Sequence, residues 1–261
     1  MMTLRELRGL PHFSISQLKT FLQCPRKYRF HYVDRLEPEF RPIALAFGTA
    51  FHVAVGYRLL QPSTARDELH TIFRDSLMAE VKADGIPVLF EDEEDLGQTI
   101  DLGIRMLDVF LEKVPLPERV LGVEVPFVIE LEHPVTGEIA SLPLIGGVDA
   151  IVVDEGKLFV WELKTGKKKW SADQIEYDPQ PTAYTMAARE LGHNEAEVKL
   201  LVTTKTNRPD VQIERLVRRR GDESELAETA LDVLHAVKAG VDARIRGWGC
   251  RPCAFADRCG A

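Results

Sequence analysis

Three residues in the middle of the chain can do chemistry together: Asp149 in GGVDAIVV, and Glu162 and Lys164 in WELK. Side chains alternate along a strand, so a strand over WELK presents Glu162 and Lys164 on one side and Trp161 and Leu163 on the other. The turn formers Asp154, Glu155 and Gly156 separate the two segments, and a hairpin there brings Asp149 across from Glu162. Two neighbouring carboxylates in a half-buried sheet repel each other, and a hard divalent cation with oxygen ligands, Mg2+ or Mn2+, relieves the repulsion. Such an ion polarises a phosphoryl oxygen and acidifies a bound water, which is what phosphodiester hydrolysis demands; Lys164 would orient that water or neutralise charge building on the phosphorus. Spacing alone also fits a blander arrangement, solvent-facing carboxylates with Lys164 as their surface ion-pair partner.

The 4 cysteines form a second constellation: Cys24 near the start, and Cys250, Cys253 and Cys259 in a C-x2-C-x5-C cluster near the end. Four thiolates are what one tetrathiolate site needs, and the C-x-x-C spacing is common to zinc and iron-sulfur sites. The ligand set does not choose between zinc and a 4Fe-4S cluster, and two disulfides or four free thiols are the remaining alternatives.

Other residues have two readings each. His52 lies in an apolar helical segment, where a lone histidine is either a core residue or a ligand. Gln180 and Tyr184 stand one helical turn apart and therefore share a face, for a site or for packing. Glu124 alternates with apolar neighbours in GVEVPF and either faces the same site or makes a structural ion pair. The acidic run at 91–95 precedes a helix, where it would complement the helix dipole. Two basic clusters, Lys164 with Lys167, Lys168 and Lys169, and the run Arg215, Arg218, Arg219 and Arg220, are phosphate contacts or solvated faces.

The elements that must position these residues follow from periodicity. A helix over 13–32, bent at Pro25, and helices near 46–60, 64–83 and 93–114 make the first third helical. Strands over VLGVEVPFVIEL, PLIGGVDAIVVD and KLFVWELK follow, the last two as a hairpin; then a helix at 179–191, strands at 198–204 and 211–217, and a helix at 224–239. The expected class is α/β, a small mixed sheet flanked by helices. The chain has 261 residues, an apolar fraction of 45% and a formal net charge of -8. That charge argues against coating nucleic acid by bulk electrostatics, while leaving room for a local basic groove. The absence of a GxxxxGK[ST] loop excludes an ATP motor of that kind. With no secretory leader and no run approaching about 18 uncharged apolar residues, the expectation is a soluble intracellular protein.

Taken together, these segments resemble the PD-(D/E)XK nuclease superfamily, specifically its RecB-like exonuclease branch with an iron-sulfur cluster, which includes CRISPR-associated exonucleases. FGTAFH resembles the branch's Gly-x-x-x-His element, GGVDAIV its metal-binding aspartate strand, WELKTG its Glu-x-Lys strand, and QPTAY its Gln-x-x-x-Tyr element. The superfamily's name-giving proline is absent, since Gly147 and Val148 precede Asp149.

The resemblance implies a restriction-endonuclease-like core at 120–220 within a single domain over 1–261. It implies His52, Asp149 and Glu162 as ligands of Mg2+ or Mn2+ with the Leu163 main-chain carbonyl, Lys164 as the catalytic lysine, and Gln180 and Tyr184 shaping the site and touching DNA. It also implies that Cys24, in a Cys-Pro-Arg-Lys-Tyr context, joins Cys250, Cys253 and Cys259 in a 4Fe-4S element formed by 13–32 and 248–261. Arg26, Lys27 and Arg29, with Lys167 to Lys169, are candidate phosphate contacts. The leading expectation is a DNA exonuclease acting on single-stranded ends, in repair, recombination or CRISPR adaptation, with partners from those processes. A non-catalytic DNA-binding subunit with the same fold and a zinc-stabilised hydrolase of another substrate are the alternatives.

Overall fold

The computed structural model describes residues 2–90 and 94–260. In chain order the elements are α1 (Leu4–Arg8), α2 (Ile15–Gln23), α3 (Pro25–Tyr28), a π-helical turn (Arg29–Val33), β1 (Arg41–Pro42), α4 (Ile43–Leu60), α5 (Arg66–Lys82), β2 (Val88–Leu89) and α6 (Leu96–Lys113). There follow β3 (Arg119–Ile129), β4 (Leu144–Asp154), β5 (Lys157–Gly166), α7 (Ala172–Tyr177), α8 (Pro179–Glu190), β6 (Glu197–Thr204), β7 (Val211–Leu216), α9 (Arg220–Lys238) and α10 (Ala256–Cys259). The five long strands form one sheet in the order β3-β4-β5-β6-β7. β4/β5 and β6/β7 are antiparallel and β5/β6 is parallel, so the sheet is mixed, and α7 and α8 make the crossover that a parallel pair needs.

The chain divides into two compact units, each built from separated segments: Met1–Arg41, Pro126–Gly146 and Arg219–Ala261 in the first, Pro42–Val125 and Gly147–Arg218 in the second.

In the first unit, Ser14 caps α2 by accepting from the Gln17 N–H, and the fully buried Phe13 bonds through its backbone to Pro143 and Ile145 at 2.9 Å each. The expected single helix over 13–32 is interrupted: Cys24 is extended (φ -165, ψ 107) because the residue before a proline is driven out of the helical region. The helix resumes at Pro25, whose fixed φ suits a first helical position. α9 begins at Arg220, earlier than the expected 224, because Asp222 and Glu223 complement its first turn. It packs on α2 through an apolar face including Leu226, Ala230 and Leu234.

In the second unit, α4, α5 and α6 pack together and cover one face of the sheet. Phe47, Phe51, Phe73, Met106 and Phe110 meet Ala150, Val152, Phe159, Trp161, Leu163 and Leu201 in one apolar cluster. Gly103 in α6 lets the Phe73 ring sit where a side chain would otherwise be, since a Cβ there would lie 2.0 Å from the ring. α4 has 18 residues at a mean hydropathy of 1.5, the length and composition of a membrane span, which scanning for uncharged runs passed over because it contains His52 and Arg58. Half of it is buried within the fold, as expected of a core helix that is apolar all round. Of the acidic run at 91–95, residues 91–93 lie outside the described residues; Asp95 caps α6, accepting from the Gln98 N–H at 2.8 Å.

Candidate active site

All the residues considered in this section up to the cysteines belong to the second unit. The antiparallel register of β4 and β5 ends at Ala150↔Trp161. One step further, where Asp149 would face Glu162, the Asp149 side chain takes over: its Oδ2 accepts a hydrogen bond from the Leu163 backbone N–H at 2.7 Å. Trp161 and Leu163 go into the apolar cluster. Asp149, Glu162 and Lys164 are thereby left to meet α8.

A directed chain of hydrogen bonds closes the site. The Lys164 ammonium donates to Gln180 Oε1 at 2.9 Å, Gln180 Nε2 donates to the Tyr184 hydroxyl at 2.9 Å, and that hydroxyl donates to Asp149 Oδ1 at 3.2 Å. His52 Nδ1, reaching in from α4, lies 3.4 Å from the same Oδ1. Lys164 Nζ is also 2.9 Å from Glu162 Oε1. The six residues singled out in the sequence are therefore one connected network, and Leu163 joins it through its backbone.

Glu162 is the anomaly within this network. Its side chain is 0% exposed, and neither carboxylate oxygen receives a hydrogen bond; the Lys164 contact is close but badly angled for one. Burying an ionised carboxylate without hydrogen bonds is costly. Burial accordingly pushes the Glu162 carboxyl above its usual range, with Asp178 and Asp149 adding to the push and Lys164 opposing it. Burial works against charge on Lys164, but the carboxylates of Glu162, Asp149 and Asp178 hold its ammonium above the ordinary value. For Asp149, burial is outweighed by His52, Lys164 and the Leu163 N–H, and the carboxyl is held low. His52 is raised, Asp149 and Glu124 overcoming burial and Lys164. Burial, with Asp149 and Glu162, pushes the Tyr184 phenol well above its usual value. The site thus holds more negative charge than its burial tolerates.

Two further carboxylates act on this site. Asp178 was not singled out in the sequence; it caps α8 by accepting from the Gln180 N–H at 2.9 Å, and the signal that could have found it is an aspartate followed by proline at a helix start. Glu124 is exposed and has the left-handed φ of 48, so the alternation read from GVEVPF is broken at that residue.

The basic residues divide. Lys167, Lys168 and Lys169 are exposed, and Lys169 pairs with Asp210 at 2.6 Å. Of the arginine run in this unit, Arg215 pairs with Glu155 at 2.5 Å and Arg218 donates to the Ile175 carbonyl at 2.6 Å. The first unit holds the others: Arg220 pairs with Glu223, Arg26 and Arg29 pair with Asp242, and Lys27 donates to Gln23. Most of the second basic cluster is therefore engaged in local pairs.

In the first unit, Cys24, Cys250, Cys253 and Cys259 are free, half-buried thiols lining one cavity of about 150 Å3. Arg26, Lys27 and Arg244 line it too, and no carboxylate does. Among the described residues, no three histidine, cysteine, aspartate or glutamate side chains converge tightly enough to hold one ion, here or in the network around Asp149.

Comparison with known proteins agrees with this geometry. A crystal structure named "Putative exonuclease", from Eubacterium rectale, superposes with a TM-score of 0.57 at 15% identity, covering 95% of this chain and 88% of that one, which is a likeness of fold. A structure named SSO0001 covers 93% of each chain at 17% identity with a TM-score of 0.39. No curated protein matches significantly. Residues 12–260 match the model of the PD-(D/E)XK nuclease superfamily, and the chain belongs to that superfamily.

Proposed function

We propose that the chain is a divalent-metal-dependent DNA exonuclease working on single-stranded ends, with Asp149, Glu162 and Lys164 at its centre. The observation that carries this reading is the Glu162 carboxylate, wholly buried yet given no hydrogen bond, beside a second buried carboxylate. Hard oxygen donors in excess of their neutralising partners suit Mg2+ or Mn2+, and His52, Asp149, Glu162 and the Leu163 carbonyl are the groups that would hold such an ion. The ion would supply a polarised phosphoryl oxygen and an acidified water. Lys164 stabilises charge that builds on the phosphorus; Gln180 fixes the Lys164 ammonium, and Tyr184 fixes Asp149 through the same bonded chain. Lys167 and Lys168, exposed just past the end of β5, contact the DNA backbone, as does Lys27; Arg26 contributes less, being paired with Asp242.

The four thiols of the first unit would hold a 4Fe-4S cluster. Thiols spread around a cavity suit a polynuclear cluster better than one zinc ion, whose sulfurs must all lie about 2.3 Å from a single point. Three basic side chains and no acid favour a group made anionic by its thiolates. The cluster's part is structural, fastening segments more than two hundred positions apart.

The test is degradation of end-labelled single-stranded and duplex DNA in Mn2+ and in Mg2+ by anaerobically purified wild type and Glu162→Ala, with iron measured on the same samples. Cleavage from ends that the substitution abolishes is the expected result. A folded, iron-replete wild type that binds DNA and does not cut it would instead make the chain a binding subunit.

A further inference from the structure

The strand β3 carries an irregularity that the site as described so far does not use. A Cβ at Gly122 would lie 2.5 Å from Cγ2 of Val125. In a regular strand, residues three apart are roughly 10 Å apart and on opposite faces. The backbone at 122–125 therefore doubles back on itself as a bulge, with Glu124 at its turning point in the left-handed region (φ 48). A non-glycine residue there is strained, and glutamate, unlike asparagine or aspartate, has no short side chain to compensate. Bulges of this kind re-aim a side chain and are enriched beside active sites.

The bulge is also fastened in place. Its Val123 packs against α4 at Gly56, where an added Cβ would be 3.0 Å from Cγ1 of Val123, and Gly56 is one helical turn beyond His52. Glu124 is thus held beside the turn of α4 that carries His52, close enough for its charge to act on that ring. Its own carboxylate is exposed and, among the described residues, makes no hydrogen bond or salt bridge. A strained residue with an unpaired carboxylate aimed at a site where Glu162 is buried without hydrogen bonds is an arrangement the fold gains nothing from.

We propose that Glu124 helps hold the divalent cation beside His52 and Asp149, as an added oxygen donor at the open side of the site. This rests on the metal-site reading of Asp149 and Glu162. The bulge exists, on this account, to turn a β3 carboxylate toward α4, which the regular pleat would not do.

The experiment is Mn2+ binding to the metal-free full chain without DNA, by calorimetry and by the electron paramagnetic resonance of free Mn2+, for wild type, Glu124→Gln, Glu124→Gly and Asp149→Asn, with melting temperatures of each. Glu124→Gln and Glu124→Gly are expected to weaken Mn2+ binding about tenfold, while Glu124→Gly melts no lower than wild type because glycine accepts the left-handed φ. The loss should persist at about 0.5 M salt, where the Debye length is only roughly 4 Å and a distant charge no longer matters. Wild-type affinity in both Glu124 variants, or a loss that disappears in high salt, would overturn the proposal. If Asp149→Asn also binds Mn2+ as wild type does, the cation site itself is misplaced, and Glu124 has no site to serve.

Discussion

The Asp149 carboxylate accepts the backbone N–H of Leu163 at 2.7 Å, a bond that in an uninterrupted antiparallel pair would go to a main-chain carbonyl. Asp149 therefore completes the sheet as well as the site. Asp149→Ala leaves a buried N–H without an acceptor and should cost about 1–3 kcal/mol of stability. Asp149→Asn keeps an acceptor oxygen and should stay within about 1 kcal/mol of wild type while losing nuclease activity. Denaturant unfolding alongside DNA cleavage separates the two effects.

Glu162 should destabilise the metal-free protein. Its folded-state pKa is raised by burial, so the folded state binds the proton more tightly than the unfolded one and stability falls as pH rises from the ordinary value of 4.5 through the raised one. Glu162→Gln removes that penalty. In EDTA the variant is expected to be about 1 kcal/mol more stable than wild type at neutral pH and equal to it below pH ~4, yet without activity. A melting curve at neutral pH that is lower for Glu162→Gln would show that the Lys164 pair outweighs the burial.

Asp210 gives the opposite pH signature. Hydrogen bonds from Lys113 and Lys169 hold its carboxyl below the usual range. A depressed folded pKa contributes stability that is complete above the ordinary carboxylate value and is lost as pH falls below it. Because the group is about a third exposed and screened, Asp210→Asn should cost less than about 1 kcal/mol at neutral pH, and the gap to wild type should narrow steadily under pH ~4. Parallel acid-unfolding series of the two proteins measure it.

Cys24→Ser should remove the metal from the first unit and leave the second folded. Iron and sulfide per chain, with absorbance in the visible charge-transfer region, are expected to fall to background, and the Mn2+ affinity of the Asp149 site to stay within about twofold of wild type. Zinc in place of iron in the anaerobic wild type would correct the cluster to a single-ion site.

The catalytic strands were readable because their signals are local. WELK alternates, GGVDAIVV alternates, and DEG turns the chain between them, so the register that places Asp149 opposite Glu162 follows from a single hairpin. Gln180 and Tyr184 needed only helical spacing. Ser171 and Gln174 also make a readable capping box, and the short α7 it starts was nonetheless passed over. What sequence does not carry is tertiary. The break at Cys24 could be read as a bend but not as a fully extended residue, and the left-handed Glu124 is hidden in GVEVPF because its neighbours alternate perfectly well. The Asp149 bond to the Leu163 N–H depends on the hairpin's end opening, and no residue type announces that.

The first unit is assembled from three stretches of chain, the last of which contains three of its four thiols. A ribosome adding about 5–20 residues per second must work for roughly 10–45 s after Cys24 before those partners emerge. Throughout that interval Cys24 is a solitary thiol on a nascent chain, while the second unit, whose segments end at Arg218, is already complete. Oxidative damage during synthesis should therefore fall on Cys24 more than on the three late cysteines, and a cell starved of iron should accumulate chains whose second unit is folded and whose first unit has never closed.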